Sequence, residues 1–235
     1  TLAETVAVSI FVNPTQFGPT EDYASYPRNR ASDLEKLNEA GVDIVFIPSV
    51  EEMYPQGFST WIVPEGPALT LEGAARPGHF RGVCTVVAKL FAITTPAVAV
   101  FGWKDAQQLV VIRKMVSDLH FPVRVVGAPT FRESDGLAAS SRNVYLSPEE
   151  RKRATAFPAA LQTIASMVQF SQENNAASLL SAGKRSIAEA GLDLEYLEAV
   201  SLDDLRPVPK ITANTGILGA VRIGAVRLID NIIWE

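Results

Sequence analysis

The chain carries one cysteine, Cys84, in 235 residues, so no intrachain disulfide can form and no cysteine cluster can hold zinc. That scarcity agrees with a reducing, cytoplasmic setting. Histidine is limited to His79 and His120, well apart in sequence, so no local imidazole stands ready to activate a serine nucleophile. Basic charge is not in excess: 21 Lys and Arg face 26 Asp and Glu, a net charge of −5. Such a balance gives no sequence-independent attraction to nucleic acid phosphates or to an anionic membrane. The apolar run Val6–Val12 is too short to span a bilayer, lacks a basic flank and ends at Asn13-Pro14, so it reads as a buried strand. Neither a nucleic acid nor a membrane partner is expected. Internal repeats and low-complexity segments are also missing. What is present is a chain 47% hydrophobic and 20% charged, enough to bury the core of one large domain or two small ones.

The first part of the chain alternates between two textures. Val6–Val12, Val42–Ile47, Val98–Phe101 and Val123–Val126 have the length of buried strands and end near Pro or Gly. Between them, Ala31, Leu34, Leu37 and Ala40 share a helical face that stops at Gly41, and Val83, Val86, Val87, Leu90 and Phe91 share another before Pro96. Leu109, Ile112, Val116 and Leu119 repeat the spacing up to Pro122. Strand, helix, strand in this order predicts an α/β fold with a parallel sheet and right-handed crossovers. Ligands in such sheets sit beyond the carboxyl ends of strands, where Asn13, Gly102 and the loop after Thr130 fall.

After about residue 130 the pattern changes. Ser147-Pro148-Glu149-Glu150 combines an N-cap serine, proline at the first helical position and glutamate at N3, which predicts a long helix running toward Phe170. A second helix is expected over about Ala176–Ala190. Leu194–Val200, Thr215–Ile223 and Ala225–Ile233 are β-prone, the last two split only by Gly224. The expected organisation is therefore residues 1–130 as a nucleotide-binding domain and residues 131–235 as a smaller α+β domain.

Two segments carry most of the chemistry, Phe101-Gly-Trp-Lys-Asp-Ala-Gln-Gln-Leu109 and Asp135-Gly-Leu-Ala-Ala-Ser-Ser-Arg-Asn143. Each places a glycine, a cation and hydrogen-bonding side chains at an element boundary, where backbone N–H groups and positive charge hold phosphate. Ser140, Ser141 and Arg142 offer two hydroxyls and a guanidinium in succession, suited to several phosphate oxygens at once. The plainer alternatives are a surface Lys104 paired with Asp105, solvated Gln107 and Gln108 early in a helix, and a simple turn before the Ser147 helix. Asn13 and Gln16 follow the first strand, placed to donate to a carboxylate or hydroxyl while Pro14 fixes the turn. Alone, Asn13-Pro14 reads first as a strand-ending turn.

Ser9-Ile-Phe-Val-Asn-Pro-Thr-Gln-Phe17, Tyr26-Pro-Arg28, Glu52-Met-Tyr-Pro55, Leu71-Glu-Gly73, Arg76-Pro-Gly-His-Phe80, the two segments above and Arg227-Leu-Ile-Asp-Asn231 resemble, block by block and nearly end to end, the pantothenate synthetase family. The resemblance implies a Rossmann-like nucleotidyltransferase domain with a smaller carboxyl-terminal domain that closes over the nucleotide, and a homodimer. It implies that ATP and pantoate give pantoyl adenylate and pyrophosphate, and that the β-alanine amine then attacks the adenylate and releases AMP. Mg²⁺ is expected with ATP because it screens the polyphosphate charge; its ligands are not named by the sequence, with Asp33 a weak outer candidate.

By the same resemblance Gln16 and Gln108 are pantoate ligands, Gln16 also lying near the β-alanine site, and Asn13, Arg76 and His79 line the substrate pocket. Gly102, Trp103, Lys104, Asp105, Ala139, Ser140, Ser141 and Arg142 contact ATP, with a main-chain adenine contact at Phe131. Lys104 is the catalytic candidate: an ammonium at a helix start neutralises charge growing on the α-phosphate and departing pyrophosphate. Two departures stand out. Trp103 occupies a position that is usually polar in the family, and the family's amino-terminal His-x-Gly-His segment is not part of this sequence. Three readings follow: a pantothenate synthetase, a noncatalytic binding or assembly fragment of one, or another adenylate-forming ligase. A chain beginning at Thr1 is expected not to complete pantothenate synthesis at a meaningful rate.

Overall fold

In the computed structural model, which describes residues 2–235, the chain forms two compact units. The first comprises the residues up to Val100 together with Val111–Val126, and the second comprises Phe101–Val110 and Gly127–Glu235.

In the first unit, strands β1 (Ala7–Ser9) and β2 (Ile44–Phe46) pair in parallel, Ala7 opposite Ile44 and Ser9 opposite Phe46. Both are shorter and more exposed than the sequence predicts: Val6 and Ile44 are about half exposed. Each has a single partner strand among the described residues, so the ladder covers little apolar surface. Helix α1 (Arg30–Glu39), capped by the Asn29 side chain, forms where expected but buries no residue; Ala31 and Ala40 are exposed and Leu34 and Leu37 half-buried. A capping box between Ser49 and Glu52 starts the short helix α2 (Val50–Met53), followed by α3 (Glu72–Ala75).

Helix α4 (His79–Thr94) is the core element of this unit, burying Phe80, Val83, Cys84, Val86, Val87 and Phe91. It comes directly against the 3₁₀ turn Pro14–Gln16 because Gly82 has no side chain. A Cβ there would lie 2.4 Å from the Thr15 carbonyl oxygen.

Strands β3 (Val98–Gly102) and β4 (Arg124–Ala128) pair in a second, separate ladder. Between them runs α5 (Ala106–Asp118), with Leu109, Ile112 and Met115 buried; Leu119, expected on the same face, lies past the helix end and is exposed.

The carboxyl-terminal part matches its pattern closely. Strands β5 (Asp193–Ser201), β6 (Thr215–Ile223) and β7 (Val226–Trp234) form an antiparallel sheet in that order, with β6 buried except at Arg222. Ile223 pairs with Val226, leaving Gly224-Ala225 as a two-residue hairpin loop. Ser147 and Glu150 form the expected capping box. The single long helix does not form: it divides into α6 (Pro148–Ala154) and α7 (Ala156–Ser171) around Thr155. Pro158 has no N–H to offer the Ala154 carbonyl and its ring crowds that oxygen, which breaks the ladder there. Helices α7 and α8 (Ala176–Glu189) pack on the sheet around Phe157, Leu161, Ile164, Leu179, Leu197 and Ile217.

Candidate active site

In the first unit the chain leaves β1 and turns at Asn13, which is 2% exposed and caps the Pro14–Gln16 turn. Its Oδ1 accepts from the Thr15 N–H (3.3 Å), the Thr15 hydroxyl (2.9 Å) and the Tyr54 hydroxyl (2.9 Å). Its Nδ2 donates to the Gly82 carbonyl (3.2 Å) and to Gln16 Oε1 (3.1 Å). Both amide N–H groups of Asn13 are thus engaged inside the protein, and Gln16 presents its Nε2 away from Asn13.

Arg76 and His79 close the other side of Gln16. Arg76 grips the Glu21 carboxylate with Nε (2.8 Å) and Nη2 (2.6 Å), and Nη2 also donates to the Gln16 carbonyl (3.3 Å). His79 Nδ1 lies 2.8 Å from the same carbonyl, which can only accept, so Nδ1 carries the proton and Nε2 accepts from Arg76 Nη1 at 3.2 Å. Burial, together with the Arg76 charge, pushes the His79 pKa below the ordinary imidazole value, leaving it neutral near pH 7. Burial opposes ionisation of Glu21 as well, but the hydrogen bond and charge of Arg76 outweigh it and hold that carboxyl low. Asn13, Gln16, Arg76 and His79, four sequence candidates, therefore form one hydrogen-bonded cluster. Tyr54 and Glu21 complete it; Tyr54 lies in a family-like block without an assigned role, and Glu21 carries no sequence signal.

In the second unit Gly102 ends β3, a 3₁₀ turn covers Trp103–Asp105, and α5 begins at Ala106. Lys104 Nζ lies 3.4 Å from Asp105 Oδ1, with the Lys104 side chain 22% exposed. Trp103 turns inward: it is 5% exposed, its Nε1 donates to Glu235 Oε2 (3.2 Å), and it lies so close over Gly127 that a Cβ there would be 2.4 Å from Nε1. Its indole is a buried support for the turn, and the unusual residue leaves the outer face of the turn to Lys104 and Asp105. Gln107 is buried, unlike the solvated residue that a bare helix start suggests, and Gln108 is half-buried.

The loop after β4 is a second built feature. Phe131 is 77% exposed, and its carbonyl accepts the Ala139 N–H at 2.9 Å. Ser140 caps the 3₁₀ helix Ser141–Tyr145, its Oγ accepting from the Arg142 N–H. Beneath it, buried Asn143 donates to Glu133 Oε1 (2.6 Å) and the Ala138 carbonyl (3.1 Å), and Arg151 pairs with Glu133 and Asp135 at 2.7 Å each. The hydrogen bond from Asn143, with that from Arg151, lowers the Glu133 pKa.

Strand β7 holds both features. Asp230, 4% exposed, takes a bidentate grip from Arg132 (2.7 and 3.0 Å), and Asn231 Nδ2 donates to the carbonyls of Trp103 (2.7 Å) and Lys104 (3.0 Å). The motif Arg227–Asn231 is visible in the sequence, but nothing in it names these contacts. Among the described residues no group of three or more His, Cys, Asp or Glu is arranged to hold a metal ion. Chemically, one cluster offers amide, guanidinium and imidazole groups suited to a small carboxylate. The Lys104 turn offers an ammonium, and the Ser140–Arg142 loop hydroxyls and a guanidinium, each of a kind suited to phosphate.

The family model described as pantoate-β-alanine ligase matches residues 1–233. The chain belongs to the pantoate-β-alanine ligase family. The pantothenate synthetase of Chloroflexus aurantiacus is 54% identical over 234 residues, covering 98% of this chain and 82% of its own length. That of Moorella thermoacetica is 47% identical over 99% of this chain and 82% of its own. Among solved structures, the pantothenate synthetase of Thermus thermophilus superposes with a TM-score of 0.94 at 49% identity, covering 99% of this chain and 84% of that one. The Francisella tularensis ligase, complexed with β,γ-ATP and β-alanine, gives 0.78 at 35% identity, over 98% of this chain and 79% of that one. Membership makes the chain a ligase of pantothenate biosynthesis that joins pantoate to β-alanine, and these superpositions bear out the α/β fold with a small α+β part.

Proposed function

We propose that the ligation runs through pantoyl adenylate. A pantoate carboxylate oxygen attacks the α-phosphorus of ATP, the bond to the β-phosphate breaks, and pyrophosphate leaves. The neutral amine of β-alanine then attacks the acyl carbon, AMP leaves with the bridging oxygen, and the amine loses its proton as the amide forms. The observation that carries this reading is Lys104, partly exposed on a turn that ends β3 and leads into α5, where its charge offsets what accumulates on the α-phosphate and leaving group. The Francisella relative's complex with β,γ-ATP and β-alanine supports ATP as cosubstrate.

Ala139–Arg142 hold phosphate oxygens, Gly102, Asp105 and the backbone of Trp103, whose indole is buried, contribute the rest of the ATP contacts, and Phe131 meets adenine through its main chain. Because the Phe131 carbonyl already takes the Ala139 N–H, that contact falls to its own N–H or the carbonyl's second lone pair. Gln16 Nε2 and Gln108 bind pantoate. Asn13 serves by fixing the Gln16 amide, while Arg76 and His79 hold the Gln16 backbone. Mg²⁺ enters with ATP, held by phosphate oxygens and water, a mode that needs few protein ligands. We further assign residues 1–130 as the catalytic domain and 131–235 as the lid, in a cytoplasmic homodimer.

The reaction course is tested with pantoate labelled with ¹⁸O in its carboxylate. One labelled oxygen per turnover is expected in AMP; label in pyrophosphate or none in AMP rules out the adenylate.

A further inference from the structure

We propose that Asn231, on β7, is a positioning residue for Lys104, setting the direction in which the lysine leaves its turn. This rests on the reading of Lys104 as the cation that acts on ATP.

Asn231 is 5% exposed, yet its side chain serves the Trp103–Asp105 turn rather than its own sheet. An amide nitrogen has two N–H groups, and Nδ2 reaches two successive carbonyls, Trp103 at 2.7 Å and Lys104 at 3.0 Å. Holding the carbonyls on either side of the Lys104 α-carbon fixes both peptide planes that flank it, and with them the Cα–Cβ vector. A lysine on a four-carbon stem otherwise sweeps a wide arc, and the 3.4 Å contact of its ammonium to neighbouring Asp105 is a loose tie.

The frame that does the holding is itself fixed. Asn231 sits in register opposite Leu218 of the buried strand β6. Its own N–H bonds Asp230 Oδ1 at 2.8 Å, and its carbonyl accepts from Arg132 Nη2 at 3.3 Å. Arg132 in turn is locked bidentately on Asp230 and donates to the Gly136 carbonyl at 3.2 Å. One strand dipeptide thereby keys the lysine turn and the base of the Ala139–Arg142 loop to the same rigid sheet. Displacements of about 1 Å in a group of this kind cost on the order of 100-fold in rate.

The test is a double-mutant cycle on the full protein, read as single-turnover pyrophosphate release from ATP and pantoate. Asn231→Asp keeps the side-chain shape but turns a carboxylate oxygen on two carbonyl oxygens. It is expected to slow release about 30-fold with Lys104 present and less than about 3-fold in a Lys104→Ala background, because the two act as one unit. A purely structural role lowers thermal stability but leaves this coupling absent. Wild-type release in folded Asn231→Asp, or losses that multiply with Lys104→Ala, overturn the proposal. If Asn231→Asp does not fold, Asn231→Ser, which keeps one shorter donor, runs the same cycle: coupled losses support the proposal, and independent losses overturn it. Failure of the underlying reading is distinct: there, Lys104→Ala alone leaves release unchanged.

Discussion

The Nδ2 of Asn13 donates to the Oε1 of Gln16 at 3.1 Å, so the carbonyl end of the Gln16 amide faces Asn13, and in the proposed site its NH₂ end meets pantoate. Gln16→Ala should therefore weaken pantoate capture by about 10- to 100-fold, the cost of a lost hydrogen bond to a charged group. Gln108→Ala should do the same, and ATP affinity in both should stay within about 3-fold of wild type. Calorimetry with each ligand separately checks it; an equal loss of ATP affinity would refute the assignment.

Gly82 tests how tightly this turn is held. A Cβ at that position would lie 2.4 Å from the Thr15 carbonyl oxygen and 2.7 Å from the Gln16 nitrogen, both backbone atoms that cannot swing aside. Gly82→Ala should destabilise the fold by about 1–3 kcal/mol in urea titrations and raise the pantoate KM by displacing Gln16. A stable variant with unchanged KM would show that the turn is free to shift.

His79 has a pKa lowered by burial and by Arg76. In the folded protein it resists the proton that the unfolded chain accepts below about pH 6.5. Its contribution to stability is thus fully present above about pH 6.5 and is lost as pH falls from there through the lower folded value. The His79 ring proton should titrate by NMR with a midpoint below about 6.5, and replacing His79 with Asn should flatten the stability profile on the acid side of about pH 6.5. A midpoint at or above the ordinary imidazole value would contradict the neutral Nδ1–H form.

Cys84 is fully buried in α4, and burial pushes its thiol pKa up to about 12. It should be inert to an aromatic disulfide reagent in the native protein and react promptly in denaturant. Rapid native labelling would place Cys84 outside the core.

What the sequence makes legible is what local chemistry determines. The Ser147–Glu150 capping box needs only four residues, and the β5–β7 bounds, expected from alternation and turn residues, agree with the strands to within a residue. The Asn13 network is illegible because its partners Tyr54 and Gly82 are 41 and 69 residues away, and Asn231 meets the Lys104 carbonyl across 127. No periodicity encodes such pairs. The setting of Trp103 is illegible for a similar reason: what makes room for its indole is the missing side chain of Gly127, a residue on β4. The division at Thr155 is in principle visible in Pro158, but the strong cap at Ser147 conceals it.

The most direct test of the account is rapid-quench pyrophosphate release from ATP and pantoate, without β-alanine, in Lys104→Ala against the unmodified protein. If Lys104 stabilises charge on the transferring phosphate, the single-turnover rate should fall on the order of 100-fold or more while thermal stability stays close to wild type. A near-wild-type rate in the folded variant would remove Lys104 from the chemistry and contradict the account.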